Sequence, residues 1–331
     1  MPLRTSRLAG MGAYLPERVV TNEDLTKSFD TSDEWIVQRT GIKERRYTIP
    51  GEGTASMGAQ AARRAIADAG WSPSDVEFIV FATITPDHFF PGAGCYMQAL
   101  LGLPGIGALD IRNQCAGFVY ALTVANALIV AGQYSRILVV GSETHSACLE
   151  DPKAQRDIAV LFGDAAAAIA LEAGDGEGVL SAVLHADGRG ADCLKLELFD
   201  IKQKPFISPS DLQAGRHLPV MDGRQVFRSA VEGMVEAGHE TLAKGGKTFA
   251  DVDLIIAHQA NLRIAEAVRT RFSLPAEKMF NNIQNRGNTT AASIPLAMTE
   301  ARDAGRLKRG DLLLLLAFGS GFTWGGALLR Y

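Results

Sequence analysis

Ser74-Asp75-Val76-Glu77-Phe78-Ile79-Val80 and Ala250-Asp251-Val252-Asp253-Leu254-Ile255-Ile256 are near copies of each other, about half a chain apart. Each starts in a polar turn and runs into an apolar, strand-like stretch. At nearly the same offset, Ile137-Leu138-Val139-Val140 answers Leu313-Leu314-Leu315-Leu316. Buried strands do resemble one another by chance, but a repeated offset favours an internal duplication. Outward from these stretches, strands alternate with helices. Thr54 to Ala69 is alanine-rich, opens on a threonine cap and stops at Gly70. Val76 to Ala82 follows as a buried strand. Cys115 to Ala131 reads as a long helix of small residues, stopped by Gly132, and Ile137 to Val140 is the next strand. This predicts an α/β fold of two similar halves about a pseudo-twofold axis. The turn signal Ala173-Gly174-Asp175-Gly176 sets the boundary, giving halves 1–174 and 175–331. Residues 188–219 break the alternation, and a substrate-gating excursion and a variable surface loop fit them equally.

The chain has 331 residues, 47% hydrophobic and 21% charged, with a net charge of −4. Such a composition supports a large core. It argues against a general nucleic-acid binder. No stretch approaches the roughly 18–20 apolar residues of a membrane span, and Met1-Pro2-Leu3-Arg4 does not open a signal peptide. The longest apolar run, Leu312 to Phe318, reads as a buried strand. Cys95, Cys115, Cys148 and Cys193 form no CxxC pair or disulfide framework, and Cys95 reads as part of a glycine-rich loop. Reduced thiols of a cytoplasmic protein are the expectation.

Four stretches carry candidate chemistry. In Asp110-Ile111-Arg112-Asn113-Gln114-Cys115-Ala116-Gly117-Phe118 a cysteine opens a buried helix. Free N–H groups and partial positive charge there favour the thiolate, the reactive form. A buried structural cysteine is the other reading. His258 follows the strand Leu254-Ile255-Ile256-Ala257, at the strand end where α/β sites form; a core histidine satisfied by backbone fits as well. His88, His145, His185, His217 and His239 read as loop or surface residues. In Arg286-Gly287-Asn288-Thr289-Thr290-Ala291, Asn288 is either a helix N-cap or a side-chain amide presented to a site. Phe318-Gly319-Ser320-Gly321-Phe322-Thr323-Trp324-Gly325-Gly326 is a glycine-rich turn after the last buried strand. It reads either as a tight hairpin or as backbone N–H groups directed at an oxyanion.

In this order and spacing the four stretches resemble the thiolase-fold condensing enzymes, above all the β-ketoacyl-acyl carrier protein synthase III family. The resemblance runs from Thr31-Ser32-Asp33-Glu34-Trp35-Ile36 to Gly321-Phe322-Thr323-Trp324-Gly325. It implies a thiolase-like fold layered α-β-α-β-α. It implies an acyltransferase that loads an acyl group from an acyl-CoA primer on Cys115 and condenses it with malonyl-acyl carrier protein to initiate fatty-acid synthesis. His258 and Asn288 would stabilise the enolate formed as CO₂ leaves. The backbone N–H groups of Cys115 and Ser320 would form the oxyanion hole, although the family commonly has glycine at the place of Ser320. Trp35, Arg39 and Arg156 match positions that hold the coenzyme A nucleotide, and Gly223 and Asn261 match the pantetheine tunnel. Arg228, Arg263, Arg269 and Arg271 would offer a basic patch to an acidic carrier protein, or form only a solvated helix face. Phe90 matches a residue that caps the partner subunit's acyl pocket, implying a homodimer. No metal or organic cofactor is implied.

Relatives with other chemistry fit less well. A thiolase needs a second catalytic cysteine late in the chain, and none follows Cys193. Elongating synthases place a second histidine where Asn288 stands. Plant-type polyketide synthases share Cys-His-Asn but are usually longer. Four features depart from the housekeeping initiator: Arg112-Asn113-Gln114 before the cysteine, Thr85-Pro86-Asp87-His88-Phe89-Phe90, the alanine in Gly163-Asp164-Ala165, and a longer stretch before Met221. They bear on the primer, and they keep open a condensing enzyme of quinolone or polyketide type.

Overall fold

The computed structural model describes residues 5–151, 154–174 and 178–331. Two mixed sheets organise it. The first holds β1 (Thr5–Tyr14), β2 (Phe78–Ala82), β3 (Gly107–Ile111), β4 (Arg136–Glu143) and β5 (Ala165–Gly174), in the order β1-β5-β4-β2-β3. The second holds β6 (Val179–Ala186), β7 (Leu254–Ala257), β8 (Leu312–Gly319) and β9 (Thr323–Arg330), in the order β7-β8-β9-β6. The first sheet has two parallel pairings (β3-β2 and β2-β4) followed by two antiparallel ones, and the second has one parallel pairing followed by two antiparallel ones.

The repeated heptapeptide lies at equivalent places. Phe78 pairs with Ile137, and its counterpart Leu254 pairs with Leu313. Equivalent residues thus meet equivalent residues, which chance similarity of apolar strands would not produce. The fifth strand, β3, is reduced in the second half to a single parallel bridge between Ile255 and Met279. All strands of the first sheet lie before residue 175 and all strands of the second after residue 178. Asp175 and Gly176, half of the boundary signal, lie outside the described residues.

Seven helices complete the frame: α1 (Asp33–Thr40), α2 (Thr54–Asp68), α3 (Ala93–Leu101), α4 (Gly117–Val130), α5 (Gly223–Lys244), α6 (Leu262–Arg271) and α7 (Ser293–Asp303). Leu312 to Leu316 shows why the strands read as unbroken apolar runs. Leu313 and Leu315 face inward onto α4 and α7, while Leu312, Leu314 and Leu316 face outward onto α5 and α6. A strand covered on both faces has no solvent side to mark with polar residues. Val80 and Val139 likewise face α4, and Phe81 and Val140 face α2 and α3. The layers are therefore α2/α3, first sheet, α4/α7, second sheet and α5/α6, the α-β-α-β-α order the resemblance implied. Among the described residues no helix is long and apolar enough to cross a membrane.

Three local expectations need correction. Cys95 is on the exposed face of α3, not in a loop. The strand ending at Gly319 is not the last, because β9 follows it and closes the sheet against β6. Residues 188–219 are structured. Leu194–Leu196 pairs with Pro219–Met221, and Pro209–Gln213 is a capped helical turn. Arg216 ties the excursion together through Glu197 (3.0 Å), Asp211 (2.6 Å) and Gln203 (2.9 Å).

Candidate active site

Cys115 and His258 lie beyond the C-terminal ends of parallel strands β3 and β7. In mixed α/β sheets this edge is where sites form. Cys115 occupies a 3-10 turn, Gln114–Ala116, that leads into α4. The duplicated turn, Thr290–Ala292, leads into α7. The residues opening the two turns, Gln114 and Thr290, have positive φ of 43° and 48°. Non-glycine residues rarely adopt that conformation, and a β-branched one least of all. The two turns pack together, so both inner helices begin at the same point.

The Cys115 side chain is buried. Burial pushes its thiol up to about 12, the Glu143 carboxylate adds to the effect, and the Thr290 side chain works against it. The expectation that a helix start favours the thiolate is thus corrected: desolvation dominates and the resting group is a thiol.

His258 is 3% exposed. Its Nδ1 pairs with Ser293 Oγ at 2.7 Å, while Nε2 is buried without a partner. Burial pushes the imidazole down to about 3, so it is neutral. If the Ser293 hydroxyl donates to Nδ1, the proton resides on Nε2, which is then an unused donor in the cavity. Asn288 is clamped across Phe162 by two backbone hydrogen bonds, Asn288 N–H to Leu161 O (2.8 Å) and Gly163 N–H to Asn288 O (3.0 Å). Its Oδ1 accepts from Thr290 N–H at 2.9 Å, leaving the Nδ2 end for a ligand. It therefore closes a side-chain turn and does not cap α7.

Cys115, His258, Asn288 and Gly319 share one narrow cavity, which reaches Gly223 and Asn261 at its other end. A second cleft shares Gly223, Phe227 and Asn261 and opens at Trp35, Arg39 and Arg263. The two make a channel from the surface to the thiol. At its mouth the guanidinium groups of Arg39 and Arg156 lie 4.7 and 4.3 Å from the Trp35 ring centroid. Asn261 Nδ2 donates to Arg39 O (3.0 Å), tying α6 to α1. On another side of Cys115 lies a cavity of about 430 Å³, bordered by Arg112, Gln114, His145, Leu196, Leu198 and Ser320. The arrangement can pass a long thioester inward, expose its carbonyl to the thiol, and house the acyl chain beyond.

Arg228, Arg263 and Arg271 are exposed on α5 and α6 beside the channel mouth. Arg269 is turned away to Glu266 (2.8 Å) and the Leu274 carbonyl. Phe90 is 79% exposed and lies edge-on to Phe89, which also meets Phe199 of the excursion. Among the described residues no cluster of three or more His, Cys, Asp or Glu is placed to hold a metal ion.

Several site residues escaped the sequence reading. His145 lies in a loop but is buried, not at the surface, and its Nε2 lies 2.7 Å from Thr290 Oγ1. Glu143 is fully buried and collects Thr83 Oγ1, Ile84 N–H, Thr85 N–H and Thr85 Oγ1, the last at 2.6 Å. Burial pushes its carboxyl up to about 7. A charge ending the buried run Ile137–Val140 was the available signal. Gly319 was passed over within its glycine-rich turn. A Cβ there would come within 2.9 Å of Cys115 N and 3.1 Å of Cys115 Cβ. Gly319→Ala is therefore expected to displace the nucleophile. It should lower stability by about 1–3 kcal/mol and cut turnover well beyond that loss, as read by denaturant melts beside an acyl-transfer assay. Wild-type turnover in Gly319→Ala would refute the close packing.

The family profile described as 3-oxoacyl-[acyl-carrier-protein (ACP)] synthase III matches residues 109–188, and its C-terminal counterpart matches 242–331. A Rhodospirillum centenum protein named β-ketoacyl-[acyl-carrier-protein] synthase III is 46% identical over all of both chains. The protein of that name from Laribacter hongkongensis is 45% identical over 98% of this chain and 99% of its own. The crystal structure of 3-oxoacyl-[acyl-carrier-protein] synthase III from Aquifex aeolicus superposes with a TM-score of 0.91. It is 41% identical and covers 98% of this chain and 100% of its own. The chain is thus a thiolase-fold condensing enzyme of the acyltransferase class. Within that class it belongs to the β-ketoacyl-acyl carrier protein synthase III family.

Proposed function

We propose that the protein condenses an acyl-CoA primer with malonyl-acyl carrier protein, the step that initiates fatty-acid synthesis. The Cys115 sulfur attacks the primer thioester, and coenzyme A leaves as its thiol, taking the cysteine proton. The oxyanion formed meets the backbone N–H groups of Cys115 and Ser320. The malonyl thioester then binds with its carbonyl at His258 Nε2–H and Asn288 Nδ2–H. Loss of CO₂ puts its electron pair into an enolate held by those donors. The enolate carbon attacks the acyl-Cys115 carbonyl, and the sulfur leaves and regains a proton. No cofactor enters these steps. The observation that carries the reading is the unpartnered, buried Nε2 of His258 in the cavity shared by Cys115 and Asn288. Full-length identities of 45–46% to proteins named β-ketoacyl-[acyl-carrier-protein] synthase III favour this reading over a condensing enzyme of quinolone or polyketide type. Release of CO₂ and formation of a β-ketoacyl-carrier protein from acyl-CoA and malonyl-carrier protein would support it. A product that keeps coenzyme A or lacks the malonyl carbons would refute it.

Coenzyme A is taken to dock at the channel mouth, with its adenine against Trp35 and its phosphates near Arg39 and Arg156. Pantetheine then passes Gly223 and Asn261. Base–aromatic stacking contributes on the order of 1–3 kcal/mol. Trp35→Ala should therefore raise KM for the acyl-CoA roughly tenfold. It should leave kcat, and turnover of a short thioester lacking the nucleotide, near wild type. An equal loss with both substrates would remove the nucleotide from this site. Arg228, Arg263 and Arg271 are the residues offered to the carrier protein, with Arg269 in a supporting role through Glu266. A homodimer that buries Phe90, and a cytoplasmic location suited to four free cysteines, complete the proposal. Sedimentation as a monomer at micromolar concentration would contradict the dimer.

A further inference from the structure

We propose that His145 and Thr290 are a positioning pair for the Cys115 sulfur: the imidazole donates to the threonine hydroxyl, and the hydroxyl donates to the thiolate. The proposal rests on Cys115 being the nucleophile. The histidine and asparagine placed at the malonyl carbonyl are not part of it.

Three observations carry it. His145 Nε2 lies 2.7 Å from Thr290 Oγ1, and both side chains border the 430 Å³ cavity with Cys115. The histidine is held from behind: its backbone N–H donates to Asp164 Oδ1 at 2.7 Å, and its ring lies against Phe162 with centroids 4.5 Å apart. Thr290 stands at φ 48°, a conformation a β-branched residue rarely adopts, and strain of this kind concentrates at functional sites. Its backbone is fixed there by Asn288 Oδ1 on its own N–H and by Glu143, which accepts from the next residue, Ala291.

Proton counting sets the direction of the chain. A threonine hydroxyl has one proton. If that proton points to sulfur, Oγ1 must accept, and His145 must be the Nε2–H tautomer. Burial pushes His145 down to about 3, so it stays neutral and works as a donor, not a proton store. The Thr290 side chain favours the thiolate against burial, consistent with that direction. The sulfur carries negative charge twice in the cycle, on attacking the primer and on leaving the β-ketoacyl product. The pair serves both moments without moving a proton itself. Near the thiol, Glu143 is the titrating carboxyl, His145 and His258 are neutral, Arg112 and Lys195 line the outer cavity, and Cys148 lies beside them.

The test is alkylation of Cys115 by iodoacetamide from pH 6 to 11, followed by the mass of the Cys115 peptide so that the other three cysteines do not contribute. The Glu143 titration is common to all forms and cancels between them. Thr290→Val and His145→Phe should lower the alkylation rate about tenfold at each pH, the equivalent of about one unit in the acidity of the thiol, and slow primer acylation about tenfold. Thr290→Ser and His145→Gln, which keep a hydroxyl and a donor, should lie near wild type. Superimposable profiles for wild type, Thr290→Val and His145→Phe would overturn the pair. If Thr290→Val does not fold, the histidine variants decide: profiles of His145→Phe and His145→Gln that coincide would overturn it equally. Failure of wild-type Cys115 to acylate at all would strike the proposed function, not the pair.

Discussion

Cys115→Ala is expected to abolish primer transfer, with turnover falling by on the order of 10⁶, the scale on which removal of a nucleophile acts. The loss should be selective. Cys115 sits where two cavities meet, one bordered by His258 and Asn288 and the other by Arg112 and Ser320. Removing its sulfur leaves the donors His258 Nε2 and Asn288 Nδ2 in place, since their supports are Ser293 and the Leu161–Gly163 backbone. Malonyl-carrier protein should still lose CO₂ slowly in the variant, without forming a carbon–carbon bond. A variant retaining more than about one hundredth of primer transfer would mean that another group carries the acyl chain.

The second large effect belongs to the other half of the reaction. His258→Ala or Asn288→Ala should lower decarboxylation by on the order of 10²–10³, the measured cost of removing one oxyanion donor. Acylation of Cys115 from the primer should persist in both. The expectation follows from burial: His258 and Asn288 are almost wholly out of water, and His258 Nε2 has no protein hydrogen-bond partner, which suits it to the proposed thioester oxygen. Single-turnover measurements separate the halves, with acyl-enzyme mass for the first and CO₂ release for the second. Equal loss of both halves in Asn288→Ala would assign the residue a structural role.

The fold was largely legible because duplication leaves a register as well as a pattern. The heptapeptide at Ser74 and its copy at Ala250 correctly marked the paired strands Phe78–Ile137 and Leu254–Leu313. β9 was not legible. Gly325 and Gly326 read as a turn, whereas they are glycine because the backbone of Val183 and the Thr241 side chain approach there. Residues 188–219 hid their order because an Arg216 network, not a period, holds them.

In the site, His258 follows a recognisable apolar strand, Cys115 and Asn288 precede small-residue apolar stretches, and the structure brings the three to one cavity. Their supports did not show. Thr290, Ser293 and His145 lie among small polar residues, and what distinguishes them is contact across the chain: Thr290 with His145, Ser293 with His258. The effect of the helix start on the thiol was misjudged for the same reason. The helix start is local and visible, while the burial that outweighs it is assembled by distant segments.

The most direct test of the account is the mass of the Cys115 peptide after brief incubation of the enzyme with an acyl-CoA and no malonyl donor. The account predicts a gain equal to one acyl group on that peptide, labile to hydroxylamine and discharged when malonyl-carrier protein is added. An unmodified Cys115 peptide, or an acyl group found on Cys95, Cys148 or Cys193 instead, would contradict it.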